Sequence, residues 1–153
     1  MLEIINLADR PDLIAACATW NFGEWGEFNG GTLEQTISGF HDLVQANDGQ
    51  IARAALWQGG LAGFALLIDN DLETHPHLKP WVASVFVSPD YRGRGIAKSL
   101  VGAIEKTAAE LGHGEAYLYT SKPDLYRQIG WLDFEQLDGD YAGMLILNKK
   151  IAR

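Results

Sequence analysis

The stretch that decides the fold is Val85-Phe86-Val87-Ser88-Pro89-Asp90-Tyr91-Arg92-Gly93-Arg94-Gly95-Ile96-Ala97-Lys98-Ser99-Leu100. An apolar strand stops at Pro89, and a turn rich in glycine and arginine leads into a helix. The first amides of a helix have no partner within it, and the positive end of its dipole lies there. Gly93 and Gly95 let the backbone bend close to a ligand. Because Arg92 and Arg94 add donors suited to phosphate oxygens, the stretch predicts a pyrophosphate site.

Two familiar phosphate-binding loops do not fit this turn. A Walker loop requires G-x-x-x-x-G-K-(S/T), whereas Gly95 is followed by Ile96-Ala97-Lys98. A dinucleotide-binding fingerprint requires G-x-G-x-x-G, whereas the third position here is Lys98 and the turn lies in the middle of the chain. The sequence therefore favours another pyrophosphate-containing ligand.

Two motifs carry a resemblance to a known family. The turn Arg92-Gly93-Arg94-Gly95-Ile96-Ala97 resembles the (R/Q)-x-x-G-x-(G/A) signature of the GNAT superfamily of acyl-CoA-dependent N-acyltransferases. Downstream, the segment Leu125-Tyr126-Arg127-Gln128-Ile129-Gly130-Trp131 is similar to that family's (F/L)-Y-x-x-x-G-(F/W) motif. The two motifs lie about one helix and one strand apart, in the order the family shows, and the pair is far more specific than either motif alone.

The resemblance implies a fold and a binding site. The fold is of the α/β (α+β) class, a mixed and mostly antiparallel central sheet with helices on both faces, and a single domain spans residues 1–153. The pantetheine arm lies beside the strand 85–87, in a gap between that strand and the strand 117–120, and the pyrophosphate lies on the turn. The residues expected to bind the donor are Val85, Phe86, Val87, Arg92, Gly93, Arg94, Gly95, Ile96, Ala97 and Lys98.

The resemblance also implies the reaction. Acetyl-CoA is the acyl donor, no metal is needed, and the primary amine of a small molecule attacks directly in a ternary complex. Tyr126 matches the motif's tyrosine and is expected to act as general acid toward the departing thiolate. A phenol with a pKa near 10 suits a thiolate whose conjugate acid has a pKa of roughly 8.5 to 10. The alternative is that Tyr126 only packs against CoA or forms a hydrogen bond to a loop.

The residue that deprotonates the amine is left open by the sequence. Candidates are the carboxylates and histidines of the loop 69–77, together with Glu24 and Glu27. Within that loop, Glu73, His75 and His77 could hold a metal, although solvated side chains are the simpler interpretation. The aromatic residues near the start of the chain could form an acceptor-side wall with cation–π contacts or could fill the core; they are Trp20, Phe22, Trp25 and Phe28.

Composition limits the partners of the chain. With 153 residues, 47% of them hydrophobic, the chain can form a packed domain. The net charge of −8 disfavours nucleic acid and anionic membranes; it suits a cationic substrate or simply gives solubility. No apolar run reaches the length of a membrane span and no signal peptide is visible, so we expect a cytoplasmic protein, either monomer or homodimer. The single Cys17 is expected in the core.

Two other functions remain compatible with the sequence. One is a non-catalytic acyl-CoA-binding sensor, which would keep residues 92–97 but would not need Tyr126. The other is a protein acetyltransferase acting on chain termini or lysines.

Periodicity predicts the order β-α-α-β-β-β-α-β-α-β-β. The first helix is expected to end near Asn21, followed by a loop over residues 22–31 because that segment is rich in glycine. A capping box at Thr32 and Gln35 marks the second helix. The helix after Gly95 should bury the face formed by Ile96, Leu100, Ile104, Ala108 and Leu111.

Overall fold

A computed structural model describes residues 1–151, and its elements follow the predicted order. The strands are β1 (Leu2–Asn6), β2 (Ile51–Trp57), β3 (Gly60–Ile68), β4 (Trp81–Val87), β5 (Glu115–Thr120), β6 (Leu132–Gln136) and β7 (Leu145–Lys150). The helices are α1 (Ile14–Asn29), α2 (Leu33–Ala46), α3 (Ile96–Glu110) and the short α4 (Asp124–Arg127). Residues 139–141 form a helical turn before β7.

The seven strands form one sheet in the order β1-β2-β3-β4-β5-β7-β6. Only β4 and β5 are parallel; all other neighbours are antiparallel. Alternate residues of the strands point to opposite faces of the sheet, and each face carries a hydrophobic cluster. Helix α3 covers one face, and α1 and α2 cover the other. The expected mixed, mostly antiparallel sheet with helices on both faces is confirmed.

Helix α1 is longer than predicted. It continues to Asn29 and ends at Gly30, whose φ of 77° only glycine adopts easily, so the expected loop over 22–31 is wrong. Gly23 and Gly26 lower helix propensity, but Trp25, which lies between them, packs against Phe86 of the sheet. Tertiary packing outweighs local propensity here.

The next two helices largely match the expected pattern. Thr32 and Gln35 form the predicted capping box at the start of α2. Helix α3 buries the predicted face, except that Leu111 is 49% exposed because it follows the helix as its C-cap. Cys17 is fully buried, and burial raises the pKa of its thiol to about 12, which leaves it unreactive. In the described part of the chain, no helix is long and apolar enough to cross a membrane.

Leu100 offers a test of this packing. Its side chain is fully buried between α3 and the sheet, so Leu100→Ala should leave a cavity and destabilise the fold by about 2–5 kcal/mol. Lys106→Ala, on the exposed side of the same helix, should have little effect. Thermal unfolding of the three proteins measures the difference. A melting temperature that Leu100→Ala leaves unchanged would show that α3 does not pack as described.

Candidate active site

The central strands β4 and β5 part soon after they meet. Their register contains the single pair Trp81 and Tyr117, at the start of β4. Beyond it, residues 84–87 of β4 are partly exposed, although the strand lies in the middle of the sheet. A central strand is normally paired on both edges. The sheet therefore opens along the second half of β4, and this opening is called the cleft below.

A β-bulge distorts β4 next to the cleft, in the pairing of β4 with β3 on its other edge. Leu66 lies opposite Ala83 and Phe64 opposite Phe86, so one residue of β3 faces two residues of β4. Ser84, within the bulge, has a φ of 53°, which is unusual for a residue with a side chain. Bulges and such strained backbones are frequent next to functional sites, where they redirect backbone groups.

The turn after β4 presents free backbone amides. Gly93 and Gly95 have φ values of 81° and 76°, and nothing lies within 4 Å of the position a Cβ would take on either. Helix α3 begins at Ile96 without a hydrogen bond from a capping side chain. Its first amides therefore face an open, electropositive space of the kind that binds anions.

Two arginines stand beside this open helix end. Arg92 Nε donates to the carbonyl oxygen of Val87 at 2.9 Å, and its guanidinium lies 5.9 Å from the centre of the Phe86 ring. Arg94 stacks on Trp57, 5.0 Å from its ring centre. The sequence suggested both arginines but gave no sign that Trp57, on β2, would hold one of them.

Tyr126 lies on the α3 side of the sheet. Its ring packs against the same cluster as Val85 and Val87 and contacts Trp131 edge-on at 6.5 Å. Burial raises the pKa of its phenol to about 12, so the hydroxyl stays protonated over the physiological range. The structure thus brings the predicted Tyr126 and the predicted strand 85–87 to one cluster.

The opposite face of the sheet carries two groups of aromatic rings. Phe86 packs with Trp20 at 5.3 Å and with Trp25 at 6.5 Å between ring centres. Tyr141 contacts both Phe28 and Tyr119, at 5.4 and 5.8 Å. Trp20 and Trp25 pack against the core, whereas Phe28 is 51% exposed. That these aromatic residues form an acceptor-side wall stays a prediction. Phe22 lies along α1 over Gly26.

The candidate bases of the loop 69–77 lie in different environments. Asp71 is partly buried, and burial raises the pKa of its carboxyl to about 7. Glu73 is exposed, and His75 Nε2 lies 2.8 Å from Glu135 Oε2. Glu24 and Glu27 of α1 are exposed. Within residues 1–151 no group of three potential ligand side chains is placed to hold a metal.

The chain resembles known proteins in sequence and in fold. A sequence profile described as the acetyltransferase (GNAT) family matches residues 14–131. No curated protein matches the chain in sequence. An aminoglycoside 6'-acetyltransferase type Ii has a similar structure, with a TM-score of 0.75 at 20% identity, covering 100% of this chain and 98% of that one.

Two further structures were solved with coenzyme A. An aminoglycoside 6'-N-acetyltransferase complexed with coenzyme A has a TM-score of 0.76 at 19% identity, covering 100% of this chain and 98% of that one. An N-acetyltransferase (PaiA) of Thermoplasma acidophilum in complex with coenzyme A has a TM-score of 0.68 at 21% identity, covering 98% and 99%. These likenesses show the fold. Since the profile covers most of the chain, the chain belongs to the GNAT family of acetyltransferases.

Proposed function

We propose that the chain transfers the acetyl group of acetyl-CoA to a primary amine of a small molecule, by direct attack in a ternary complex. The observation that carries this proposal is the cleft between β4 and β5. Tyr126 approaches it from the α3 face, and Tyr119, Tyr141 and Asp71 lie on the other face. Two reactants could therefore meet in it from opposite sides, each beside a different ionisable side chain.

The residues present fit acetyl-CoA. The uncapped amides of Ile96, Ala97 and Lys98 would hold the pyrophosphate, with the two glycines of the turn leaving room for it. Arg92 and Arg94 would add charge at its edge. The backbone of Val85, Phe86 and Val87, unpaired on its β5 side, would bind the pantetheine arm as an extra strand.

Acetyl-CoA supplies a thioester, whose acyl carbon accepts the amine. Backbone amides of the β4 bulge would donate to the carbonyl oxygen as negative charge develops on it. Tyr126, kept protonated by burial, donates its hydroxyl proton to the sulfur that leaves, and its raised pKa makes it a weaker acid than the phenol of pKa near 10 expected from the sequence. The cleft holds the reactants close together, which removes much of the entropic cost of meeting.

The acceptor side suits a small cation. Rings of Phe28, Tyr119 and Tyr141 can contact an ammonium group through their faces. Burial first, and then the nearby charges of Glu73, Asp140 and Asp71, raise the pKa of Tyr141, so this end of the cleft is acidic. A protonated amine is attracted to such a site. Aminosugars, polyamines and amino-acid derivatives all have this chemistry.

Transfer of radiolabelled acetyl groups tests the proposal. The purified chain should acetylate at least one small amine from a panel of aminoglycosides, polyamines and amino-acid derivatives, and not peptides. Labelling of peptide termini or lysines instead would indicate a protein acetyltransferase. Binding of acetyl-CoA without transfer to any acceptor would indicate a sensor module. Either result would contradict the proposed activity.

A further inference from the structure

Asp71 occupies an unusual position for a carboxylate. It follows β3, next to Leu72, whose side chain is 1% exposed in a cluster with Trp81 and Tyr117. Tyr119 and Tyr141 pack against that same cluster from β5 and from the turn before β7. Asp71 is therefore partly removed from water, close to Tyr119 and Tyr141, just beyond the end of β3 that lies opposite Trp81.

The described surroundings leave Asp71 without a compensating cation. Burial is the cause of its raised pKa, and no hydrogen bond or positive charge offsets it. The titratable groups facing it are the phenols of Tyr119 and Tyr141, whose pKa values burial raises first and the Asp71 charge raises further. Glu73 and Asp140 add negative charge beside Tyr141. An unpaired carboxylate in this setting is costly unless a cationic ligand joins it.

We propose that Asp71 is the proton acceptor of the acetyl transfer: its carboxylate binds the ammonium of the acceptor and takes a proton from it, on the sheet face opposite Tyr126. This inference rests on the proposed function and deepens it, because it assigns the base that the sequence leaves open among the residues of the loop 69–77, Glu24 and Glu27. The aromatic rings around Asp71 hold the same ammonium by cation–π contacts.

The step balances in atoms and electrons. One N–H proton of the ammonium passes to Asp71, and the nitrogen lone pair forms the new C–N bond. The C–S bond breaks with its electron pair on sulfur, and the Tyr126 hydroxyl protonates that sulfur. Once the C–N bond has formed, the nitrogen carries a positive charge and loses its second proton, and this proton restores the Tyr126 hydroxyl by way of solvent. Asp71 then releases its own proton to water. A carboxyl with a raised pKa is a stronger base than an ordinary aspartate, which favours this transfer.

The pH dependence of turnover tests the assignment without any substitution. Asp71 must be ionised to accept a proton, so kcat/KM of the parent, which reports ionisation of the ligand-free protein, should rise with pH around a midpoint near pH 7. Two acceptor amines of different pKa separate the groups, because the Asp71 midpoint should be the same with both. A profile whose only midpoint follows the pKa of the amine would overturn the proposal. Absence of turnover with every amine would instead contradict the proposed function.

Asp71→Asn removes the base and keeps the shape. We expect kcat near pH 7 to fall by about 10²-fold or more and to recover partly as the pH approaches the pKa of the amine. Acetyl-CoA affinity measured by calorimetry should stay unchanged. The matched control is Asp42→Asn, which removes an equal charge from the exposed surface of α2 and should keep the parent rate. Equal rates and profiles for Asp71→Asn and the parent would overturn the proposal.

Thermal unfolding gives a readout independent of activity. A folded-state pKa raised to about 7, above the unfolded value near 4, makes the native carboxyl hold a proton that the unfolded chain has lost. Its contribution to stability therefore falls as pH rises from about 4 through 7. The melting temperature of Asp71→Asn minus that of the parent should therefore be larger at pH 8 than at pH 5. The same difference at both pH values would show that Asp71 is not buried without a partner, against the proposal.

Discussion

Tyr126→Phe should lower turnover by about 10²-fold or more while leaving the affinity for acetyl-CoA almost unchanged. The substitution removes one hydroxyl but keeps the ring that packs against Trp131 and the α3 cluster. Without that proton donor the sulfur must leave as a thiolate or take a proton from solvent, and the chemical step becomes rate-limiting. Steady-state kinetics and calorimetry on the purified pair measure the two effects.

The matched control for this result is Tyr91→Phe. Tyr91 is a half-buried tyrosine of the turn after β4 that also packs against the α3 cluster, and no chemical role is assigned to it. It should keep the parent rate. If Tyr126→Phe also keeps the parent rate, the hydroxyl of Tyr126 has no catalytic role and solvent supplies the proton.

Gly95→Val should reduce acetyl-CoA affinity by about 10²-fold or more, equivalent to losing two charge-assisted hydrogen bonds. Gly95 has a φ of 76° at the N-cap of α3, a conformation that a β-branched residue adopts only with strain. The turn must change shape to relieve that strain. Since the first amides of α3 depend on the turn for their direction, they would no longer converge on the pyrophosphate. Calorimetric titration with acetyl-CoA measures the loss.

Gly49→Val controls for backbone strain alone. Gly49 has a φ of 92° after α2, with nothing within 4 Å of its Cβ position, so valine there meets a similar conformational penalty away from the cleft. It should lower stability but not acetyl-CoA affinity. An affinity that Gly95→Val leaves intact would place the pyrophosphate elsewhere.

Much of the fold could be predicted because its signals are local. The Thr32 capping box and the apolar strand that stops before Pro89 depend on neighbouring residues, and both match the structure. The end of α1 could not be predicted in this way, because Trp25 gains its helical conformation partly by packing on Phe86, about sixty residues away. Leu111 lies outside the buried face because α3 ends one residue earlier, and helix ends are poorly defined by periodicity.

The candidate site divides in the same way. Arg92, Gly93, Gly95 and Tyr126 lie in short motifs that a sequence displays directly. Asp71, Tyr119 and Tyr141 come from three separate segments, and only the folded sheet brings them together. The sequence does not distinguish Asp71 from the other candidate bases of its loop. The raised pKa that distinguishes it comes from burial, which is a property of the tertiary structure.

A crystal structure of the chain with coenzyme A tests the central claim most directly, since it shows where the donor lies relative to the cleft. We expect the pyrophosphate on the amides of Ile96 to Lys98, the pantetheine arm along β4 in the cleft, and the sulfur within hydrogen-bond reach of Tyr126 Oη, about 3 Å. A pyrophosphate bound away from the turn, or a sulfur far from Tyr126, would contradict the claim that donor and acceptor meet between β4 and β5.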